Sequence, residues 1–188
     1  MSNYLDKIDA YIQRLDTESL VALARISTKK TFRKGDFLLR QNQNCSKSYL
    51  IENGVVRKFY WNDGKEITTE LLFENDIAIS FQSYTLQQPC REMLQALTDV
   101  NVSATDYEAF QKAKKNYPKL VVLDLMMTEY YTIWLEERLF QFHTLSATDR
   151  YLMLIKEHPH FIQHVSLTHI ASYLGISLET LSRIRAKI

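Results

Sequence analysis

Positions 166–188, SLTHIASYLGISLETLSRIRAKI, constrain this chain more than any other stretch, because they fit two short helices joined at a tight turn. Ser166 is placed to N-cap a first helix whose Leu167, Ile170, Ala171 and Leu174 share one face. Gly175 then supplies the positive φ that a sharp turn between helices needs. Ser177 is placed to cap the second helix, with Leu181, Ile184 and Ile188 as its apolar stripe and Ile176 plugging the gap between the two. Ala171 falls where the helices approach most closely, and a small side chain suits that position.

The outward face of the second helix carries Ser177, Leu178, Glu179, Thr180, Ser182, Arg183, Arg185 and Lys187. Such a mixture can reach both base edges and phosphates. Arg183 fits bidentate contact with guanine, Glu179 can accept from cytosine N4, and Leu178 can touch a thymine methyl. Ser177, Thr180 and Thr168 suit phosphate anchoring, helped by the helix N-terminus. An ordinary packed helical hairpin has the same spacing, so the rest of the chain has to decide.

At 188 residues the chain fits one large domain or two small ones. It contains no run of eighteen apolar residues, and MSNYLDKIDAYIQRLD at the start is amphipathic, unlike a signal sequence. The expectation is a soluble, cytoplasmic protein with no membrane partner. A net charge of +1 argues against nucleic acid covering the whole surface, but it allows the local basic patch of Arg183, Arg185 and Lys187. Cys45 and Cys90 are isolated, with no CxxC, so they point to reduced thiols before zinc, a disulfide or a redox sensor.

Between Thr31 and Phe73 the pattern is that of short strands. TFRKGDFLLR turns at Gly35-Asp36, SYLIENGVVRKFYW turns at Asn53-Gly54, and a second hairpin turns at Asn62-Asp63-Gly64 before EITTELLF. A further strand is expected over 92–103. Helices then take over. Thr105 and Glu108 form a capping box for a helix ending near Asn116, and Pro118 opens an uninterrupted helix over 118–143. Ser146 and Asp149 start a shorter one over 147–157, which Pro159 ends.

In the long helix Leu120, Leu123, Met127, Tyr130 and Trp134 follow a three-four spacing, while Val121, Val122, Leu125, Met126 and Ile133 make other faces apolar too. A helix apolar on several sides must be covered on several sides. One face is expected on the strand domain. The stripe from Leu120 to Trp134 is expected on the identical helix of a second copy, the alternative being burial within one chain.

The order of parts resembles the CRP/FNR superfamily of bacterial transcription regulators, the cyclic-AMP receptor protein and its relatives. KGDFLLRQNQ, YLIENGVVRKFY, SATDRYLMLIKEHP and LTHIASYLGISLETLSRIR carry the resemblance over nearly the whole chain. It implies an α+β fold: an N-terminal antiparallel β-roll of the cyclic-nucleotide-binding jelly-roll kind over 1–116, a long dimerisation helix over 117–143 and a C-terminal helix-turn-helix over 144–188. It implies a homodimer on palindromic double-stranded DNA, with RNA polymerase as a further partner, a small-molecule effector in the roll, and no enzymatic activity. Leu178, Glu179 and Arg183 match the family's base-reading positions; Leu178 departs, since arginine stands there in the cyclic-AMP receptor protein. The β-wing with which relatives commonly follow the motif has no counterpart in this sequence.

In cyclic-nucleotide binders of this family a Gly-Glu segment and a following Arg-Ser hold the ribose and phosphate. The corresponding LLFENDIAISFQSYTLQQPCREMLQAL fits poorly: Cys90 stands at the phosphate-binding arginine, and shifting the register to Arg91 brings in Glu92. The pocket candidates are Glu74, Asp76, Cys90, Arg91 and, from the long helix, Met126. The expected effector is therefore something other than cyclic AMP, or none.

Two cysteines are too few for an iron–sulfur sensor, and His143 at the end of the long helix is a poor haem ligand. His158, His160, His164 and His169 are read as solvent- or DNA-facing groups, with no metal and no cofactor expected. A cupin-type enzyme would need histidines among the strands, and all five lie outside that region. The remaining alternative to a regulator is a ligand-binding roll whose helix-turn-helix is structural or a protein contact.

Overall fold

The computed structural model describes residues 2–159 and 161–188. Two helices, α1 (Ser2–Gln13) and α2 (Thr17–Ile26), lead into eight strands: β1 (Ser27–Phe32), β2 (Phe37–Leu39), β3 (Lys47–Asn53), β4 (Val56–Asn62), β5 (Lys65–Leu72), β6 (Ile77–Ala78), β7 (Met93–Ala96) and β8 (Val100–Asp106). Helix α3 (Phe81–Leu86) interrupts them. Then follow α4 (Tyr107–Asn116), α5 (Pro118–Thr144), α6 (Ala147–Glu157), α7 (Phe161–His164), α8 (Leu167–Leu174) and α9 (Leu178–Arg185).

The strands form two four-stranded antiparallel sheets, β1-β8-β3-β6 and β2-β7-β4-β5. Their facing sides bury Ile51, Val56, Leu94, Ala96, Val100 and Val102, a jelly-roll core. Gly54 makes the β3–β4 hairpin possible: its φ is +102°, and a Cβ there would lie 2.5 Å from the Asp99 carbonyl.

The second sheet is buried on both sides. Strand residues alternate in direction, so Val56 and Leu72 face the roll interior while Val55 and Leu71 face outward, where Tyr151, Leu154, Ile170, Leu174 and Leu181 cover them. A single apolar cluster therefore joins the roll to the helix-turn-helix.

Two local expectations are corrected. The segment 92–103 is two strands, because the chain turns at Thr98, whose Oγ1 accepts the Val55 N–H at 3.0 Å. Helix α4 is capped by Asp106, whose Oδ1 accepts the Ala109 N–H, while Thr105 pairs with Ser27 in the sheet. Proline at the start of α5 and the Ser146 cap of α6 stand as read.

The stripe expected to meet a second copy is also corrected. Leu120 is fully buried, and Leu123, Met127 and Tyr130 pack with Ile8 and Leu15 of the N-terminal segment, so this face is covered by the protein's own chain. Trp134 stacks on Tyr131. Tyr11 donates to the Lys119 carbonyl, and Asp16 pairs with Lys119, fastening that segment to the start of α5. The opposite face is bare over most of its length: Val121, Leu125, Leu135 and Leu139 are exposed, Leu139 by 59%, while Phe142 at its end is partly covered by Arg138 and Arg150.

Candidate nucleic-acid interface

The terminal helix pair is built as its residues dictate. Ser166 accepts the His169 N–H at the start of α8, and Gly175, at φ +68°, ends that helix, its N–H returning to Ala171 and Ser172 carbonyls. Ser177 accepts the Thr180 N–H at 3.1 Å and caps α9. Leu181 and Ile184 are buried against Ile170, Ala171 and Leu174, so the remaining faces of α9 are fixed outward. Ile188 is not part of that stripe: it lies past the helix end and is exposed.

Leu178, Glu179, Ser182 and Arg183 share one exposed face of α9, the i, i+1, i+4, i+5 pattern of adjacent turns. Arg183 Nη2 donates to Thr180 Oγ1 at 3.2 Å, which steadies the guanidinium without consuming its remaining donors. Glu179 has its carboxyl held below the usual range by its own backbone N–H and by Ser177, so it is an acceptor at neutral pH. Thr168 is exposed in the first turn of α8, and Arg185 and Lys187 are exposed at the far end of α9. Beside them a shallow groove of about 260 Å³ is lined by Thr148, Thr180, Arg183, Ile184 and Lys187.

Three arginines missed in the sequence hold this unit. Arg138 of α5 donates to the Tyr173 carbonyl and stacks on the Tyr173 and Phe142 rings, and Arg150 of α6 donates to the Leu145 and Leu174 carbonyls. The last carbonyls of α8 thus receive cationic donors. On the roll, Arg57 is buried and donates to Glu66 at 2.6 Å, to Gln95 at 2.8 Å and to His169 Nδ1 at 2.8 Å.

The five residues expected to line an effector pocket are not brought together. Glu74 and Arg91 are exposed. Cys90 is buried and its thiol donates to the Arg40 and Glu92 carbonyls. Asp76 accepts the Phe73 N–H within its own turn, and Met126 packs in the cluster of Ile8, Leu15 and Leu123. Their separation has a simple cause: Cys90 and Asp76 complete loops of the roll, while Met126 points to the N-terminal helices.

The roll interior instead holds a polar triad. Lys58 and Glu70 are directly paired across β4 and β5 on the same face as Val56 and Leu72, with Nζ and Oε1 2.6 Å apart. Tyr131 of α5 donates to Glu70 at 2.9 Å and receives Lys58 at 3.3 Å. Burial would lower the Lys58 pKa, yet the Glu70 carboxylate and Tyr131 outweigh it and push it up to about 12. Phe81, opening α3, stacks on Tyr131. A cavity of about 440 Å³ opens elsewhere, lined by Leu38, Leu39, Gln43, Asn44, Cys45, Ser46, Lys47 and Tyr49.

Burial pushes both the Cys45 and Cys90 thiols up, away from the reactive thiolate. His158 stacks on Phe73, His169 meets Arg57, His164 is exposed, and His160 lies outside the described residues. Among the described residues no group of three or more His, Cys, Asp or Glu is placed to hold a metal ion, and no helix is long and apolar enough to cross a membrane.

Residues 29–117 match the family described as the cyclic nucleotide-binding domain. No curated protein matches the sequence. Among solved structures, FixK2 from Bradyrhizobium japonicum is similar with a TM-score of 0.75 and 19% identity, over 86% of this chain and 84% of that one. The c-di-GMP responsive global regulator CLP of Xanthomonas campestris has a TM-score of 0.71 and 15% identity, over 92% and 91%. A putative CRP/FNR-family regulator from Eubacterium rectale has a TM-score of 0.72 and 18% identity, over 92% and 82%.

Proposed function

We propose, from the premise that this chain carries a cyclic nucleotide-binding domain on the fold shared by CRP/FNR-type regulators, that it is a sequence-specific DNA-binding transcription regulator acting as a cytoplasmic homodimer. The observation that carries the reading is α9. Its inward residues are locked by Leu181 and Ile184, and its outward face offers an apolar group, an acceptor and a donor fork in Leu178, Glu179 and Arg183. That face enters the major groove, with Ser177, Thr180, Ser182, Thr168, Arg185 and Lys187 on the flanking phosphates.

Dimerisation uses the bare face of α5. Val121, Leu125, Leu135, Leu139 and Phe142, with Thr128 and Thr132 between them, recur at alternating intervals of three and four, the seam of a two-helix coil. Such a pairing sets two α9 helices about one DNA turn apart on a palindromic duplex.

The regulator works without cyclic AMP. A buried thiol already bonded to carbonyls stands where an arginine would meet the phosphate, and Lys58 and Glu70 neutralise each other in the roll interior. Selection of duplexes from a random pool tests the reading, with Arg183→Ala expected to weaken selected duplexes more than unselected ones. Equal weakening on both contradicts base reading by Arg183.

A further inference from the structure

Helix α8, the first of the DNA-binding pair, is laid along the free edge of the second sheet. The sheet order β2-β7-β4-β5 leaves β5, among the described residues, without a strand on its outer side, and Ser172 takes a strand's place there. Its hydroxyl accepts the Thr68 N–H at 2.9 Å and donates to the Glu66 carbonyl at 3.1 Å, the two bonds that a neighbouring strand would make. One turn earlier, His169 Nδ1 lies 2.8 Å from Arg57 Nη1.

The chemistry of that last contact fixes the state of the ring. A guanidinium has donors and no acceptor, so Nδ1 must carry a lone pair and the proton must sit on Nε2. An imidazolium has N–H groups at both nitrogens, and in this position it would set a donor against a donor and a cation against a cation. The charged groups facing the ring are Arg57 from β4 and Glu66 from β5. Glu66 cannot rescue the imidazolium freely, because it is already engaged by Arg57 at 2.6 Å. The seam is also incompletely bonded: among the described residues, Arg57 Nε and Thr68 Oγ1 are buried with no hydrogen-bond partner.

We propose that neutral His169 is a proton-sensitive latch that holds the DNA-binding helix pair on the roll, and that protonation of its ring releases α8 from β5. The inference rests on the DNA-binding reading only for its consequence. The latch itself is a contact within the chain. Burial and the neighbouring Arg57 hold the His169 pKa below the ordinary histidine value, with Glu66 opposing, so the latch is closed near neutrality and opens in mild acid.

The test uses the full chain and hydrogen exchange at the Thr68 amide, whose partner Ser172 belongs to the latched helix. Between about pH 7.5 and about pH 5.5 the protection factor of this amide, already corrected for intrinsic exchange, should fall about threefold to tenfold, tenfold being the most that one proton can deliver over that range, while the amides of Val100 and Val102 in the roll core keep theirs. In His169→Gln, which keeps an acceptor and cannot titrate, the Thr68 protection should be the same at both pH values. Unchanged protection in the native chain, or an equal fall in His169→Gln, overturns the latch.

A second arm measures affinity for a selected duplex at the same two pH values. The ratio of affinities should differ between the native chain and His169→Gln by at least about threefold. Equal ratios show that the latch does not govern the reading helix and overturn that part of the proposal. Absence of any bound duplex at either pH would defeat the DNA-binding reading and leave the exchange result standing on its own.

Discussion

Inside the roll the Lys58 ammonium lies 2.6 Å from the Glu70 carboxylate, both almost fully buried, and the Tyr131 hydroxyl of α5 closes the pair. Removing one member leaves the other as an uncompensated buried charge, so Lys58→Met should cost about 3–5 kcal/mol of stability. The double variant Lys58→Met/Glu70→Leu should recover most of that loss. Urea unfolding of the three chains measures both, and a single-variant loss below about 1 kcal/mol would contradict the burial of the pair.

The two faces of α5 separate by mutation. Leu139→Glu puts a charge on the bare stripe and should convert the proposed dimer to monomer in sedimentation equilibrium, leaving an unfolding midpoint that no longer depends on protein concentration. Leu123→Ala opens a cavity among Ile8, Leu15 and Met127 and should cost about 2–5 kcal/mol while leaving the oligomeric state alone. A monomer from Leu123→Ala with Leu139→Glu still dimeric would reverse the assignment of the faces.

Asp76 makes stability pH-dependent in a stated direction. Burial raises its carboxyl to about 6, with the Phe73 N–H opposing and Glu70 adding to the rise. A carboxyl whose folded pKa exceeds its unfolded one favours folding at low pH, and that contribution is lost as pH rises through about 6. Asp76→Asn keeps an acceptor for Phe73 and should stabilise the protein by on the order of 1 kcal/mol above about pH 7 while changing nothing near pH 4. Identical gains at both pH values would contradict the shift.

Gly175→Ala tests the turn that orients α9. The position has φ +68°, and a Cβ there would stand 3.0 Å from the Phe142 ring, itself flanked by Arg138 and Arg150. A loss of about 1–2 kcal/mol is expected, measured by thermal unfolding. A neutral substitution would mean that Phe142 yields freely and that the turn is not clamped.

The helix-turn-helix was legible because its signals are local: Ser166, Gly175 and Ser177 each fix one backbone end, and four apolar positions fix one face. The hairpins at Gly54 and Gly64 were legible for the same reason. Which face of α5 the chain itself covers was not, because that helix is apolar on nearly every side, and spacing alone cannot tell Leu123, covered by α1, from Leu125, left exposed. The charged interior was overlooked although a clue was present. In VRKFYWN, Arg57 and Lys58 are adjacent on a strand and must face opposite ways, so one had to enter the roll; that the other is also buried follows from helices packing on the outer face, which no strand pattern announces.

The most direct test of DNA reading by α9 is selection of bound duplexes from a random pool by the 188-residue chain, followed by salt titration with the native chain and Arg183→Ala. The expected result is an inverted repeat with half-sites about one helical turn apart, an affinity that falls steeply with salt, and a loss in Arg183→Ala of about 1–3 kcal/mol confined to the selected sequence. A pool that returns no enriched repeat from a folded, dimeric protein would contradict it.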